Sequence, residues 1–146
     1  MQVKIKKVQP EAIIPFYATA GAACFDLSFV GEVEYAHNGD AILKTGLAFE
    51  VPEGHVMMVY SRSGHGFKYN VTLANGTGVI DSDYRGEVAV KLISLTPNGQ
   101  DLLDNLRAGD RIAQAMIIPF NQVSFIETDE LSETDRGEGG FGSTGK

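Results

Sequence analysis

The chain has 146 residues, 43% of them hydrophobic, with 12 Lys+Arg against 19 Asp+Glu and a formal charge of -7 at pH 7. One domain of this length buries a sizeable core, and its acidity argues against nucleic acid or an anionic membrane as partner, so any bound anion must be held by local positive charge. Cys24 is the single cysteine, which excludes an intrachain disulfide; with no run of about 18 apolar residues and no apolar leader in "MQVKIKKVQP", the expectation is a soluble, cytoplasmic protein.

Along the chain, short β-branched and aromatic runs alternate with Gly, Asn, Asp and Pro. The segments 3–8, 24–29, 41–51, 55–62, 87–95, 111–120 and 123–128 read as strands. "PEG" at 52–54, "NG" at 75–76 and "PNG" at 97–99 are turn signals, since proline presets φ and glycine or asparagine accepts φ > 0. Only 65–70 and 99–106 have helical character, and both are too short to organise a fold. The prediction is an all-β chain, a jelly-roll-like sandwich formed by a single domain over 1–128. A polar, Gly-rich flexible arm follows over 129–146.

Several polar clusters exceed what a plain sandwich needs. "SRSGHG" at 61–66 offers a guanidinium fork, two hydroxyls and backbone N–H groups at a strand end, suited to a phosphate or simply forming a polar turn. "NGTGVIDSDYRGE" at 75–87 reads as a hairpin in which Asp81 and Asp83, two apart, share a face. A carboxylate there could deprotonate a water, or the stretch could be an ordinary Asp-rich turn covered by Tyr84. "AGDRIAQ" at 108–114 opens an apolar strand with Arg111 and Gln114. Arg62, Arg111 and Arg136 each lie within two residues of a glycine in these polar clusters, a way to gather positive charge for a polyphosphate in an acidic protein. The terminal "RGEGGFGSTGK" at 136–146 is either a frayed end or an element that closes on something, with Phe141 as its one large ring.

These stretches, with "AACFDLSF" at 22–29, resemble the five ordered motifs of the homotrimeric deoxyuridine triphosphate nucleotidohydrolases, the dUTPases. The resemblance spans nearly the whole chain in the family's order. It implies a jelly-roll subunit in a homotrimer with active sites shared between subunits, and a Mg²⁺-assisted hydrolysis of dUTP to dUMP and diphosphate. That activity limits uracil incorporation into DNA and supplies dUMP for dTMP synthesis.

Carried over by position, the family pattern makes Asp81 the general base for water attack on the α-phosphorus. Asn75 and the backbone from Gly78 through Val79 and Ile80 to Tyr84 would read the uracil edge, with the Tyr84 ring under the deoxyribose. Arg62, Ser63, Gly64 and Gln114 would hold the phosphate chain, joined by Arg111. From the arm, Arg136 would reach the γ-phosphate and Phe141 would stack on the uracil, while Gly142, Ser143 and Thr144 would close on the phosphates. Asp26 would support the metal indirectly, or be a hydrogen-bonded strand carboxylate. Mg²⁺ would arrive with the nucleotide, held through phosphates and water.

The chain departs from the pattern at Ser61, where the family usually has proline or glycine, at His65, usually apolar, and at Asn70, usually glycine. Asn70 should tolerate φ > 0, and His65 reads as a surface or subunit-contact side chain near the site, or as one that touches a phosphate. Two rival functions stand beside hydrolysis. A deoxycytidine triphosphate deaminase would need a glutamate where Lys91 stands, and a non-catalytic, nucleotide-dependent partner of another protein would not need the hydrolytic residues kept here.

Overall fold

In the computed structural model, which describes residues 1–143, the chain forms ten short strands and two helices. In chain order these are β1 (Lys4–Lys7), β2 (Phe25–Ser28), β3 (Glu34–Tyr35), β4 (Ala41–Lys44), β5 (Leu47–Glu50), β6 (His55–Tyr60), α1 (Ser63–Tyr69), β7 (Val71–Leu73), β8 (Thr77–Ile80), β9 (Ala89–Ser94), α2 (Pro97–Asp104) and β10 (Arg111–Pro119). One four-stranded sheet has the order β2-β10-β6-β8, the other β3-β4-β9-β7, and β1 pairs with β5. Every pairing is antiparallel. The result is the expected all-β, jelly-roll-like sandwich.

Its core follows from the period-two alternation of the strands. Leu27, Leu43, Leu47, Met57, Val59, Leu92, Ala113 and Ala115 are essentially inaccessible, and Ile112 joins them at the register shift of β10. Thr45, also fully buried, satisfies its hydroxyl by donating to the Val88 carbonyl at 2.7 Å. Among the described residues no helix is long and apolar enough to cross a membrane.

The sequence expectations are revised at several places. The run 41–51 is two strands, β4 and β5, because Gly46 turns the chain at φ +68, and a Cβ there would come within 2.8 Å of Ala12 Cβ and Val30 Cγ2. Segment 75–87 is not a hairpin: β8 pairs only with β6, whereas β9 pairs with β4 and β7 in the opposite sheet, so the motif crosses between sheets. Segment 123–128 is not a strand. It pairs with no strand among the described residues, and Val123, Phe125 and Ile126 are 67%, 93% and 86% exposed. The two helical stretches do form. Thr96 caps α2 by accepting from Gly99 N with Pro97 in its first turn, and Asn70 ends α1 in the left-handed region at φ 53, as its residue type allows.

Candidate active site

At one end of the β2-β10-β6 layer the ladder sets Gln114 opposite Asp26 on one side and opposite Tyr60 on the other. The chain leaving β6 then delivers Ser61 and Arg62 to the same edge. A register shift between Arg111 and Ala113 interrupts the pairing of β10 with β2, as bulges do where a side chain is re-aimed, and Arg111 turns back over Asp26.

The Asp26 carboxylate, with only 13% of its side chain exposed, accepts from Arg62 Nε through Oδ1 at 3.1 Å and from Arg111 Nη1 through Oδ2 at 2.9 Å. Arg62 Nη1 also donates to the Arg111 carbonyl at 3.3 Å. One carboxylate thus braces two guanidiniums, and charge-assisted bonds of this kind are among the stronger contacts available to a protein. Gln114 Nε2 donates to the Ser61 carbonyl at 3.0 Å. Ser61 Oγ accepts from Leu73 N at 2.9 Å and bonds Thr72 Oγ1 at 3.0 Å, which explains a serine there: it stitches the end of β6 to β7. Ser63 is exposed, and open space lies where a Gly64 side chain would stand, so an anion can approach the backbone. Burial, and then the Asp26 charge, push the neighbouring Cys24 thiol up, so it stays protonated.

His65 is not on the surface. It is 8% exposed, with Nε2 3.5 Å from Arg62 Nη1, and burial followed by the Arg62 charge holds its imidazole below the usual histidine range. The sequence signal that could have found it was its departure from an apolar position beside the motif arginine.

A second recess, of about 450 Å³, opens between the sheets and is lined by Val59, Leu73, Asn75, Gly78, Ile80 and Lys91 among others. Gly78 has to be small, since a Cβ would sit 3.1 Å from Val59 Cβ. Concave, mostly apolar walls with a few polar groups suit a flat ring. Lys91 Nζ is tied to Asp40 Oδ2 at 2.8 Å, and that bond holds the Asp40 carboxyl below the usual carboxylate range.

Beyond β8, Tyr84 N donates to the Asp81 carbonyl at 3.2 Å, so 81–84 is a turn rather than extended chain. Asp81 and Asp83 therefore do not share a face. Asp81 lines a recess with Val79, Ile80 and Tyr84, whereas Asp83 lines another with Ser82 and Arg85. The Tyr84 hydroxyl donates to the Glu87 carbonyl at 3.0 Å, and its ring fills the space a side chain on Gly86 would need. Glu87, which sequence reasoning did not single out, accepts from Gly46 N at 2.8 Å and Gln9 Nε2 at 3.0 Å, anchoring the far end of the motif.

The two groups are not adjacent within the chain. Tyr60 faces Thr77 and Met57 faces Ile80 across the β6–β8 ladder, so Arg62 lies beyond one end and Asp81 beyond the other. At about 3.4 Å per residue that is a backbone separation of roughly 20 Å. Residues 129–143 of the arm reach neither group. Residues 121–139 are exposed, Phe141 is fully exposed at φ 51, and hydrogen bonds from residue 121 onward are local, such as Arg136 Nε to the Gly139 carbonyl at 2.9 Å and Ser143 N to the Gly140 carbonyl at 3.1 Å. Gly142, at φ 97, follows Phe141 in the same turn, and Thr144 lies outside the described residues.

No group of three or more His, Cys, Asp or Glu that could hold a metal ion occurs among the described residues. Asp26, the expected supporter of the metal, has both oxygens committed to arginines. The donor set does not fit a resident Mg²⁺, which prefers carboxylate oxygens and water in an octahedron.

A family model described as dUTPase matches residues 10–145. The deoxyuridine 5'-triphosphate nucleotidohydrolase of Nautilia profundicola is 47% identical over 146 residues, covering all of both chains. That of Helicobacter pylori strain P12 is 40% identical over 145 residues, 99% of this chain and 97% of the other. Among solved structures, a mutant of the dUTPase of phage 80alpha aligns with a TM-score of 0.82 at 26% identity, covering 97% of this chain and 98% of that one. With a match over nearly the full length of the sequence and the same fold, the chain belongs to the dUTPase family.

Proposed function

We propose that this protein is a dUTP diphosphatase that hydrolyses dUTP, supplied as its Mg²⁺ complex, to dUMP and diphosphate in the cytoplasm. The product serves dTMP synthesis, and removal of dUTP limits uracil incorporation into DNA. Family membership gives the reaction class, and the arginine pair braced on Asp26 is the observation that carries the chemistry. In a chain of net charge -7 this braced pair is a local concentration of positive charge, ready to receive a polyphosphate without rearrangement.

Arg62 and Arg111 bind the phosphate chain, helped by Ser63, the backbone at Gly64, and Gln114. The Asn75–Ile80 recess takes the uracil, with Asn75 and the backbone of Gly78, Val79 and Ile80 reading its edge. The Tyr84 ring, fixed by its bond to the Glu87 carbonyl, lies under the deoxyribose and leaves no space for a 2′-hydroxyl. Asp81 accepts a proton from water as the water oxygen bonds the α-phosphorus. The bond to the bridging oxygen breaks, and diphosphate leaves with its electron pair. Mg²⁺ enters with the triphosphate as part of the substrate and offsets phosphate charge.

The roughly 20 Å between Arg62 and Asp81 along one ladder supports a site assembled from more than one copy: the phosphate group of one subunit meets the uracil recess and Asp81 of another in a homotrimer. Residues 1–128 act as the catalytic β domain and 129–146 as an arm, which brings Arg136, Phe141, Gly142, Ser143 and Thr144 over the nucleotide.

Diphosphate release from dUTP, dCTP, UTP and dTTP with Mg²⁺, with ammonia followed in parallel, tests the reading. Sites that hydrogen-bond one base reject another strongly, so dUTP should be preferred by at least about 10²-fold. Turnover of UTP or dTTP within about tenfold of dUTP would overturn the selectivity, and ammonia from dCTP would point to a deaminase.

A further inference from the structure

His65 takes no part in the scheme above, yet it is the side chain nearest to Arg62 on α1. The guanidinium has five N–H donors. Nε is committed to Asp26 at 3.1 Å, and Nη1 divides between the Arg111 carbonyl at 3.3 Å and His65 Nε2 at 3.5 Å. Nη2 makes no hydrogen bond among the described residues. A contact between Nη1 and Nε2 requires a lone pair on Nε2, which places the imidazole proton on Nδ1. The other neutral tautomer and the imidazolium would each set an N–H against an N–H.

We propose that His65 is a positioning residue for the substrate: as a neutral Nδ1–H imidazole it accepts from Arg62 Nη1 and, together with Asp26 and the Arg111 carbonyl, turns the guanidinium so that Nη2 presents both protons to the phosphate chain. The proposal rests on the assignment of Arg62 to that chain.

Burial alone does not account for a histidine here. Nδ1 is buried with no partner among the described residues, and an unmade buried donor costs more than a typical hydrogen bond returns. A leucine at 65 would fill the space without that cost, and Arg62 is the side chain that a histidine there bonds among the described residues. The surroundings favour the form required. Burial and then the Arg62 charge oppose protonation and outweigh Asp110 and Asp26, the two carboxylates that favour it. Because the folded-state pKa is lowered, the imidazole remains neutral below the pH at which a free histidine, of pKa about 6.5, would charge. Arg62 loses this acceptor only as pH falls through the lowered value.

The experiment compares wild type with H65L and H65Q, measuring kcat and KM for Mg·dUTP between about pH 5 and pH 8. Glutamine Oε1 reaches about as far as imidazole Nε2 and accepts without titrating. H65L should raise KM by roughly fivefold to tenfold, as for the loss of one hydrogen bond of typical strength, with little change in kcat. H65Q should restore KM and lack the acid-side rise in KM expected of wild type. Wild-type KM in H65L, or equal defects in both variants, would overturn the proposal. Should H65L fail to fold, ¹⁵N NMR of wild-type imidazole decides without substrate: the proton on Nδ1 is expected, and a proton on Nε2 refutes the role. If wild type does not turn over dUTP, the parent reading fails, and that result is separate from the tautomer.

Discussion

The arginine pair at the end of β6 and β10 and the C-terminal arm carry the same chemistry, arginine and hydroxyl donors near glycines, and are built in opposite ways. Arg62 and Arg111 are cross-braced on one nearly buried carboxylate, and Arg62 also bonds the Arg111 backbone. Among the described residues the Arg136 side chain bonds only the carbonyl three residues on, and the Phe141 ring is fully exposed. Donors of the first kind are in place before substrate arrives and lose little freedom on binding. Donors of the second kind must be ordered at that moment, at an entropic cost offset by stacking and charge-assisted bonds. The first kind of region suits recognition, and the second suits closure that expels water once the nucleotide is seated.

The comparison breaks most sharply at the group belonging to neither region. Asp81→Asn keeps shape and removes the base, so turnover should fall by at least about 10²-fold while a non-hydrolysable dUTP analogue binds as before. A variant that keeps most of its turnover would move the base elsewhere, with Asp83 next to test.

A chain ended after Asp135 should fold and keep its oligomeric state, because every strand ends by Pro119. Its hydrolysis should slow by about 10²-fold, the scale of losing transition-state donors. Sedimentation and turnover on the same sample check both halves: unaltered rates would make the arm an idle end, and loss of the oligomer would make it an assembly strap.

Asp26→Asn tests the braced region. The amide keeps one acceptor and loses the charge, so Arg62 and Arg111 part, and KM for dUTP should rise by about tenfold, as for a lost hydrogen bond between charged groups. An unchanged KM would mean that the bracing does not matter to binding. The smallest effect is expected from Phe141→Ala, which removes one stacking face and leaves the donors of the arm. The loss in kcat/KM should lie near the lower end of the about 1–3 kcal/mol found for stacking of a base on an aromatic ring. Equal rates for dUTP in this variant and wild type would separate the ring from the closure.

Much of the fold was legible because it is local. The helical stretches near 65–70 and 99–106 form as α1 and α2, although "PNG" at 97–99, read as a turn, opens α2; Asn70 ends α1 with φ > 0, and apolar runs mark β6, β9 and β10. The failures share one physical origin, that pairing partners lie far away in sequence. Residues 123–128 have strand composition and pair with no strand among the described residues, and β8 looks like the first half of a hairpin but pairs backwards with β6. Asp81 and Asp83 were placed on one face by a rule for extended chain, and the hydrogen bond from Tyr84 N to the Asp81 carbonyl bends them apart.

What the sequence by itself determined was the inventory and its order: an all-β domain, a polar glycine-rich arm, the arginines near glycines, and the family whose five motifs these are. Composition and spacing suffice for that, since strand propensity, turn chemistry and motif identity are properties of neighbouring residues. Tertiary structure alone decided which of them meet. Asp26 and Arg111 are far apart in the chain and share an ion pair because β2 and β10 are ladder neighbours. Asp81 is nearer to Arg62 in sequence than Asp26 is, yet it ends at the opposite end of its ladder because β6 and β8 run antiparallel. His65, a surface residue by composition, became the buried neighbour of Arg62 because α1 folds back at the end of β6 against that side chain.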